Sequence, residues 1–402
     1  MDIGFGEALL IVGLLLAVAA ALSGVMRGTV LSISVLAVAA GIALATADVI
    51  SIEAEDPGVL EMVELALILT LFSDGMFVER ELLGRHWGPP ARALAIAMPV
   101  TMGLLALCAH VLFPDLSWAE AFLLAAVLSP TDPVVTSAVV TAQRVPALIR
   151  HTLNLESGLN DGLALPFVLF FLVLASPGGD AGREAVELLG EAGFGAVEGV
   201  ALGVLGGRLH NHLPGGGLTA RYEGIYAVGL GLIAFGLADV TFGNGLIAAF
   251  VAGIVLAATE HEVPDSFVAF ADNVSSIFQV ITFFIFGALI VAIGYEGSVW
   301  ALIAFVPFAL LIARPVAVMA SLAGTRLPQA QKLFIAWFGP KGVASMLFAL
   351  LVLDQAGVTE GALVFDVAAF VIVSSIVAHG LTDTVGARWI ERRVEKRAAG
   401  GT

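Results

Sequence analysis

Thirteen apolar runs follow one another along this chain, each close to the length that crosses a membrane. They lie near residues 8–26, 29–48, 59–78, 91–113, 117–140, 152–175, 186–207, 222–239, 243–259, 267–293, 298–322, 331–353 and 361–385. About 20 apolar residues span a hydrocarbon core as a helix. In hydrocarbon every backbone N–H and C=O must be satisfied within the span, so repeated runs of this kind fold as helices. Packing them in water fails on charge: 13% of the 402 residues are charged, against about 25% in ordinary soluble domains. The fold class expected is therefore all-α, a polytopic membrane protein of about thirteen transmembrane helices. Residues 1–402 form one membrane domain with no soluble domain. The first run follows Asp2 and Glu7 without a basic start, so it is expected to stay as a helix rather than be removed as a signal peptide. Cys108, the only cysteine, sits inside an apolar run and offers no disulfide.

Basic residues orient the spans, because short cytoplasmic loops hold the excess of lysine and arginine. With the N-terminus outside, one side collects Arg27, Arg80, Arg85, Arg92, Arg144, Arg150, Arg208, Arg221, Arg326 and Lys332. The tail adds Arg388, Arg392, Arg393, Lys396 and Arg397 to the same side. Only Arg183 falls opposite, while Arg314 and Lys341 fall within spans. The other face is acidic, as at Asp48, Glu53, Glu55 and Asp56. A multi-pass cell (inner) membrane protein is expected, its C-terminus cytoplasmic and its basic tail, 388–402, lying on the membrane surface. The net charge of −16 suits an acidic, cation-attracting face as well as a mere compositional habit, and no nucleic acid is expected as a partner.

Two spans are broken in mid-course. The fifth carries Ser129-Pro130-Thr131-Asp132-Pro133 and the twelfth Phe338-Gly339-Pro340-Lys341-Gly342. Proline removes a backbone donor and clashes with the preceding turn, and such breaks persist at membrane depth only where protein or a watery cavity satisfies the freed groups. If the seventh span (186–208) is a linker, spans 1–6 and 8–13 form two sixes with the breaks at corresponding places. The odd separation between them inverts one six relative to the other. Paired Gly/Pro interruptions of this kind mark the binding region of inverted-repeat transporters. Half-helix ends carry opposite partial charges, which Asp132 and Lys341 can offset.

Ionisable residues inside spans are functional hypotheses by default. The densest set is Glu156-Ser157-Gly158-Leu159-Asn160-Asp161-Gly162 of the sixth span. Residues four apart share a helix face, so Glu156 stacks with Asn160 and Ser157 with Asp161. A carboxylate beside a hydroxyl suits a hard monovalent cation, and the same acid can hold a proton instead. Glu156 needs a partner if it stays charged, and Arg314 in the eleventh span is the best placed. Asp74, Asn244, Asp366 and His379 are weaker candidates for direct roles, since each can be a local hydrogen-bonded group. No HExxH, GxSxG or CxxC pattern is present, and the glycine-rich stretches Gly206-Gly207 and Gly215-Gly216-Gly217 read as packing and loop. No enzyme chemistry and no cofactor are expected.

At these residues the chain resembles the cation/proton antiporter superfamily, in its NhaP-like branch related to animal sodium/proton exchangers. The matching strings are SPTDPV at 129–134, NLESGLNDG at 154–162, ARP at 313–315, WFGPKGVAS at 337–345 and SSIVAHGLT at 374–382. The resemblance implies two inverted six-helix repeats with crossed, unwound helices 5 and 12, in a chain that works as a homodimer. It implies scaffold and dimerisation helices over 1–90 and 222–293, and a mobile core over 91–176 and 298–387. It further implies that Asp161 alternately binds cation and proton, that Ser157 and Thr131 supply oxygen ligands, and that Glu156 assists directly or through water. Asp132, Asn160, Arg314 and Lys341 support the site. Relatives that move net charge have a second aspartate where Asn160 stands, so one-for-one exchange of sodium or lithium for a proton is implied. Lys341 departs from the arginine common at its position; it keeps the charge and loses the planar fork. Potassium/proton exchange is the alternative, and an ion channel or membrane sensor on the same core is the reading from another class.

Overall fold

The structure, a computed structural model, describes residues 5–26, 33–52, 56–82, 87–132, 145–176, 181–212, 220–259, 265–295, 297–354 and 358–399. Pro133, Arg27, Arg85, Arg144, Glu53, Glu55 and Gly215-Gly216-Gly217 lie outside them. Among the described residues every regular element is a helix. In chain order these are α1 (Phe5–Met26), α2 (Ile33–Thr46), α3 (Pro57–Leu82), α4 (Gly88–Leu112), α5 (Trp118–Val127), α6 (Ala147–Ala175) and α7 (Ala181–His212). There follow α8 (Ala220–Asp239), α9 (Gly245–Thr259), α10 (Asp265–Ile293), α11 (Val299–Ser321), α12 (Gln329–Trp337), α13 (Val343–Asp354) and α14 (Gly361–Ala399). Among the described residues seven helices are individually long and apolar enough to cross a membrane, and there are shorter apolar helices besides. The chain is an all-α, multi-pass membrane protein.

Exposed leucines and valines run along α1 and α7, as at Leu10, Leu14, Val186, Leu189 and Val197, where lipid is the natural neighbour. The reverse holds for α3. It carries Glu61, Glu64, Asp74 and Glu79, yet Ala66, Leu71, Phe72 and Met76 are buried in protein. Of these acids Glu61 and Glu64 are exposed toward the start of the helix, and Asp74 is half-buried in its middle.

Helix contacts in lipid depend on close packing, and small residues allow it. A Cβ on Gly75 of α3 would strike the Phe250 carbonyl of α9, and one on Gly253 of α9 would strike the Phe72 carbonyl of α3. Gly41 of α2 and Gly287 of α10 meet each other's backbones in the same way. On α7, Gly195, Gly199 and Gly203 form a small-residue stripe against α9.

A local device appears twice. Residues Ala93–Ala97 of α4 and Ala309–Ala313 of α11 widen into π-helical turns just ahead of Pro99 and Pro315. Proline clashes with the carbonyl four residues back, and a wider turn moves that carbonyl away. The octapeptides Ala93–Val100 and Ala309–Val316 share six of eight residues, one of the two differences being Met98 against Arg314.

One acid ties the beginning of α5 to that of α14. Glu120 is buried; its Oε2 accepts from Ser117 N (2.8 Å), closing a capping box, and its Oε1 accepts from Glu360 N (3.0 Å). The helix that leads into the first break is therefore fixed at its start to α14.

Candidate functional site

Over its described residues the fifth span is helical from Trp118 to Val127 and leaves the helix before Asp132, and the twelfth is split between Trp337 and Val343. The two interruptions lie against each other. Asp132 N donates to Pro340 O at 2.9 Å, a backbone bond between segments that could make none within their own helices. Asp132 Oδ2 accepts from Val343 N at 3.2 Å, so a carboxylate caps the start of α13. Lys341 Nζ donates to Pro130 O at 3.2 Å and reaches Ser129 O at 3.4 Å, putting a cation at the C-terminal end of α5. Gly342 permits the approach, because a Cβ there would overlap the Asp132 side chain. Gly342→Ala is accordingly expected to lower stability and transport together, measured as the melting temperature in detergent and flux in proteoliposomes. An unaffected variant would mean that the crossing tolerates separation.

Helix α6 delivers the polar stripe to this crossing. Asn160 Nδ2 donates to Thr131 Oγ1 at 2.6 Å, and the Thr131 and Ser157 hydroxyls stand 3.3 Å apart. Glu156 and Arg314 form a bidentate buried pair, Nη1 to Oε1 at 2.6 Å and Nη2 to Oε2 at 3.1 Å. The guanidinium lies so close to Gly339 that a Cβ there would collide with it, so the pair also braces the break ahead of α13. Thr131, Asp132, Glu156, Ser157, Asn160, Asp161, Arg314 and Lys341 are all buried.

At the crossing Asp161 differs from Glu156, whose two oxygens are both engaged. Asp161 Oδ1 is buried with no hydrogen-bond partner among the described residues. Asp74 of α3 stands within hydrogen-bonding reach of the same carboxyl, and Asp132 and Lys341 are its further charged neighbours. An ionised carboxylate is acceptor-only, so two carboxyl groups this close bond to one another only by holding a proton between them. Asp74 was a weak candidate from sequence, a single acid in an apolar run. Nothing in the local sequence singles it out, because its partner lies on a helix far along the chain.

Oxygen donors, the buried Asp161 with the half-buried Asp74, and two helix ends thus converge at one point. No group of three or more His, Cys, Asp or Glu suited to holding a metal ion occurs among the described residues. Broken helices meeting beside an acid at membrane depth are the arrangement that inverted-repeat secondary transporters use for their sites. The chain belongs to the family described as sodium/hydrogen exchanger, transmembrane, whose model matches residues 11–386. It is 26% identical over 337 residues to a protein named K(+)/H(+) antiporter NhaP from Alkalimonas amylolytica, covering 83% of this chain and 58% of that one. It is 28% identical over 318 residues to the Na(+)/H(+) antiporter 2 of Zygosaccharomyces rouxii, covering 72% of this chain and 38% of the relative. The chain spans about half the length of the curated relatives it matches. In fold it resembles the sodium proton antiporter MjNhaP1 of Methanocaldococcus jannaschii at pH 8, with a TM-score of 0.77, 20% identity, and coverage of 96% of this chain and 98% of the other.

Proposed function

We propose that this chain is a secondary-active antiporter that exchanges sodium, or lithium, for a proton at Asp161. The observation that carries the reading is the buried Asp161 carboxyl, with an oxygen free of hydrogen bonds, beside Asp74 and the Thr131 and Ser157 hydroxyls. Cation or proton occupies the acid pair, never both. Asn160 orients Thr131, and Asp132 and Lys341 hold the two breaks together. Glu156 engages both its oxygens with Arg314 in this state and positions α6 rather than carrying the ion. No resident cofactor takes part.

Residues 91–176 and 298–387 would form the moving core, and 1–90 and 222–293 the scaffold, with 186–208 linking them. Alternating access would be elevator-like. Asp74 then belongs to the scaffold and Asp161 to the core, so the pair forms and parts as the core moves. A cavity of about 680 Å³, lined by Glu64, Glu187, Glu191 and Asp239 with Leu169 and Leu351, supports an outer vestibule that gathers cations. Glu64 is ten residues from Asp74 on α3, roughly 15 Å along the helix axis. The assembly is a homodimer in the inner membrane, N-terminus outside and C-terminus cytoplasmic, the distribution of basic residues supporting the orientation.

Cation-dependent dissipation of a pH gradient in proteoliposomes tests the reading, with sodium, lithium and potassium compared. Potassium is the second candidate, because relatives matched by this chain are named as K(+)/H(+) antiporters. No response to any of the three would sink antiport, and a net current would favour a channel.

Charge balance makes a separate prediction. A carboxyl pair with one proton carries one negative charge, and so does the same pair fully ionised around one monovalent cation. The exchange is therefore electroneutral. Voltage acts only on net charge moved, at about 2.3 kcal/mol per charge per 100 mV. Imposing potassium-diffusion potentials of either sign with valinomycin is expected to leave the sodium/proton exchange rate unchanged. A rate that follows the sign of the potential would overturn one-for-one stoichiometry and point to Lys341 as a second proton carrier.

A further inference from the structure

Three polar residues of α14, Ser375, His379 and Thr382, lie at spacings of four and three and so share one face of the helix. All three reach the break between α12 and α13. Ser375 Oγ accepts from Lys341 N at 2.9 Å. His379 Nε2 lies 2.9 Å from Trp337 O, the carbonyl of the last residue of α12, which also accepts from Gly339 N. Thr382 Oγ1 accepts from Trp337 Nε1 at 2.9 Å. The His379 ring stacks on Trp337 with centroids 5.0 Å apart, and its Nδ1 stands 3.2 Å from Ser375 Oγ and 2.7 Å from Ser375 O. Ser375 and His379 are fully buried, and Arg314 and Lys341 are the charged groups near the ring.

Breaking a helix at membrane depth frees donors and acceptors that water cannot reach. Here α14 satisfies the Lys341 amide ahead of α13 through Ser375 Oγ, and, in the tautomer that carries its hydrogen on Nε2, His379 serves the Trp337 carbonyl at the close of α12. The segment between them sets where Lys341 meets Pro130 and where Pro340 meets Asp132, and those contacts hold Thr131 opposite Ser157. We infer that His379 and Ser375 are positioning residues, a bracket on α14 that fixes the geometry of the break and through it the cation affinity of the site.

The kinetic part of this inference rests on the antiport reading; the structural part does not. His379→Phe keeps ring volume and the Trp337 stack but removes both ring nitrogens. His379→Gln places an amide nitrogen near the position of Nε2 and keeps the bond to Trp337 O. Ser375→Ala removes the acceptor of the Lys341 amide. Loss of a buried hydrogen bond at the break is expected to raise the apparent KM for the cation about tenfold in His379→Phe and Ser375→Ala. Maximal rate is expected to stay within about twofold, and His379→Gln to restore KM. Hydrogen exchange over residues 338–346 is expected to be faster in Ser375→Ala than in the parent.

The bracket stands only if both readouts move. A KM within twofold of the parent in His379→Phe and Ser375→Ala overturns it, even if the melting temperature falls, because that is ordinary packing. Unchanged exchange over the break overturns it equally. If His379→Phe does not fold, Ser375→Ala decides alone. If the parent protein shows no cation-driven proton flux, antiport fails, and hydrogen exchange still decides the bracket.

Discussion

Asp161→Asn is expected to bring cation-driven proton flux down to the background of empty liposomes, while the protein stays folded and as thermally stable as its parent. The substitution is nearly isosteric and removes the only chemistry that cation and proton can share. Stability is expected to survive for a structural reason. Asp161 Oδ1 has no hydrogen-bond partner among the described residues, so no bond to that atom is lost. The asparagine amide can donate to Asp74, replacing a bond that otherwise needs a proton. A functional acid at membrane depth is costly to keep, and its removal can relieve that cost. Flux in proteoliposomes and the melting temperature in detergent are the two measurements. Robust sodium-driven flux from Asp161→Asn would end the assignment, and Asp74→Asn would be the next variant to measure. If Asp161 is the essential acid and Asp74 its partner, Asp74→Asn shifts apparent affinity without abolishing flux.

The physics of hydrocarbon made much of this molecule legible in its sequence. Apolar runs must be helices where no water can serve the backbone, and the described helices lie along those runs, several passing their ends, most of all α14, which continues past residue 385 to Ala399. The interruptions at Ser129–Asp132 and Phe338–Gly342 were legible because proline and glycine act on the chain locally. Partners far apart in sequence were harder. The Glu156–Arg314 pair joins residues 158 positions apart and could be reached from charge neutrality alone. Asp74 could not, since its place beside Asp161 depends on how α3 packs against α6, two helices more than 60 residues apart in the chain. The spacing of Ser375 and His379 was visible, but not the break they grip. Likewise the interior course of α3 was hidden: an apolar run reads alike whether lipid or protein surrounds it. The octapeptides Ala93–Val100 and Ala309–Val316 are visible by direct comparison of the chain with itself. They support the inverted repeat independently of the two breaks, since they fall in the fourth span of each proposed six.

The buried ion pair makes the largest prediction about stability. Glu156 and Arg314 exchange two hydrogen bonds and both are buried, so removing one partner strands a charge that has no water to turn to. Glu156→Gln and Arg314→Met are each expected to destabilise the protein by about 3–5 kcal/mol. The double variant is expected to be milder than either sum would suggest, because it removes the stranded charge along with the attraction. Arg314 has a second task, lying flat against Gly339, so Arg314→Met is expected to be the more damaging of the two single changes for transport. Its methionine can fill the volume beside the glycine but cannot hold α6 and the break to one another. Melting temperatures of the two single variants and the double, in one detergent, give the coupling directly. Contacting residues deviate from additivity, commonly by about 0.5–3 kcal/mol. Strictly additive losses would mean that these two side chains do not meet in the membrane, and the placement of α6 against α11 would fall with them.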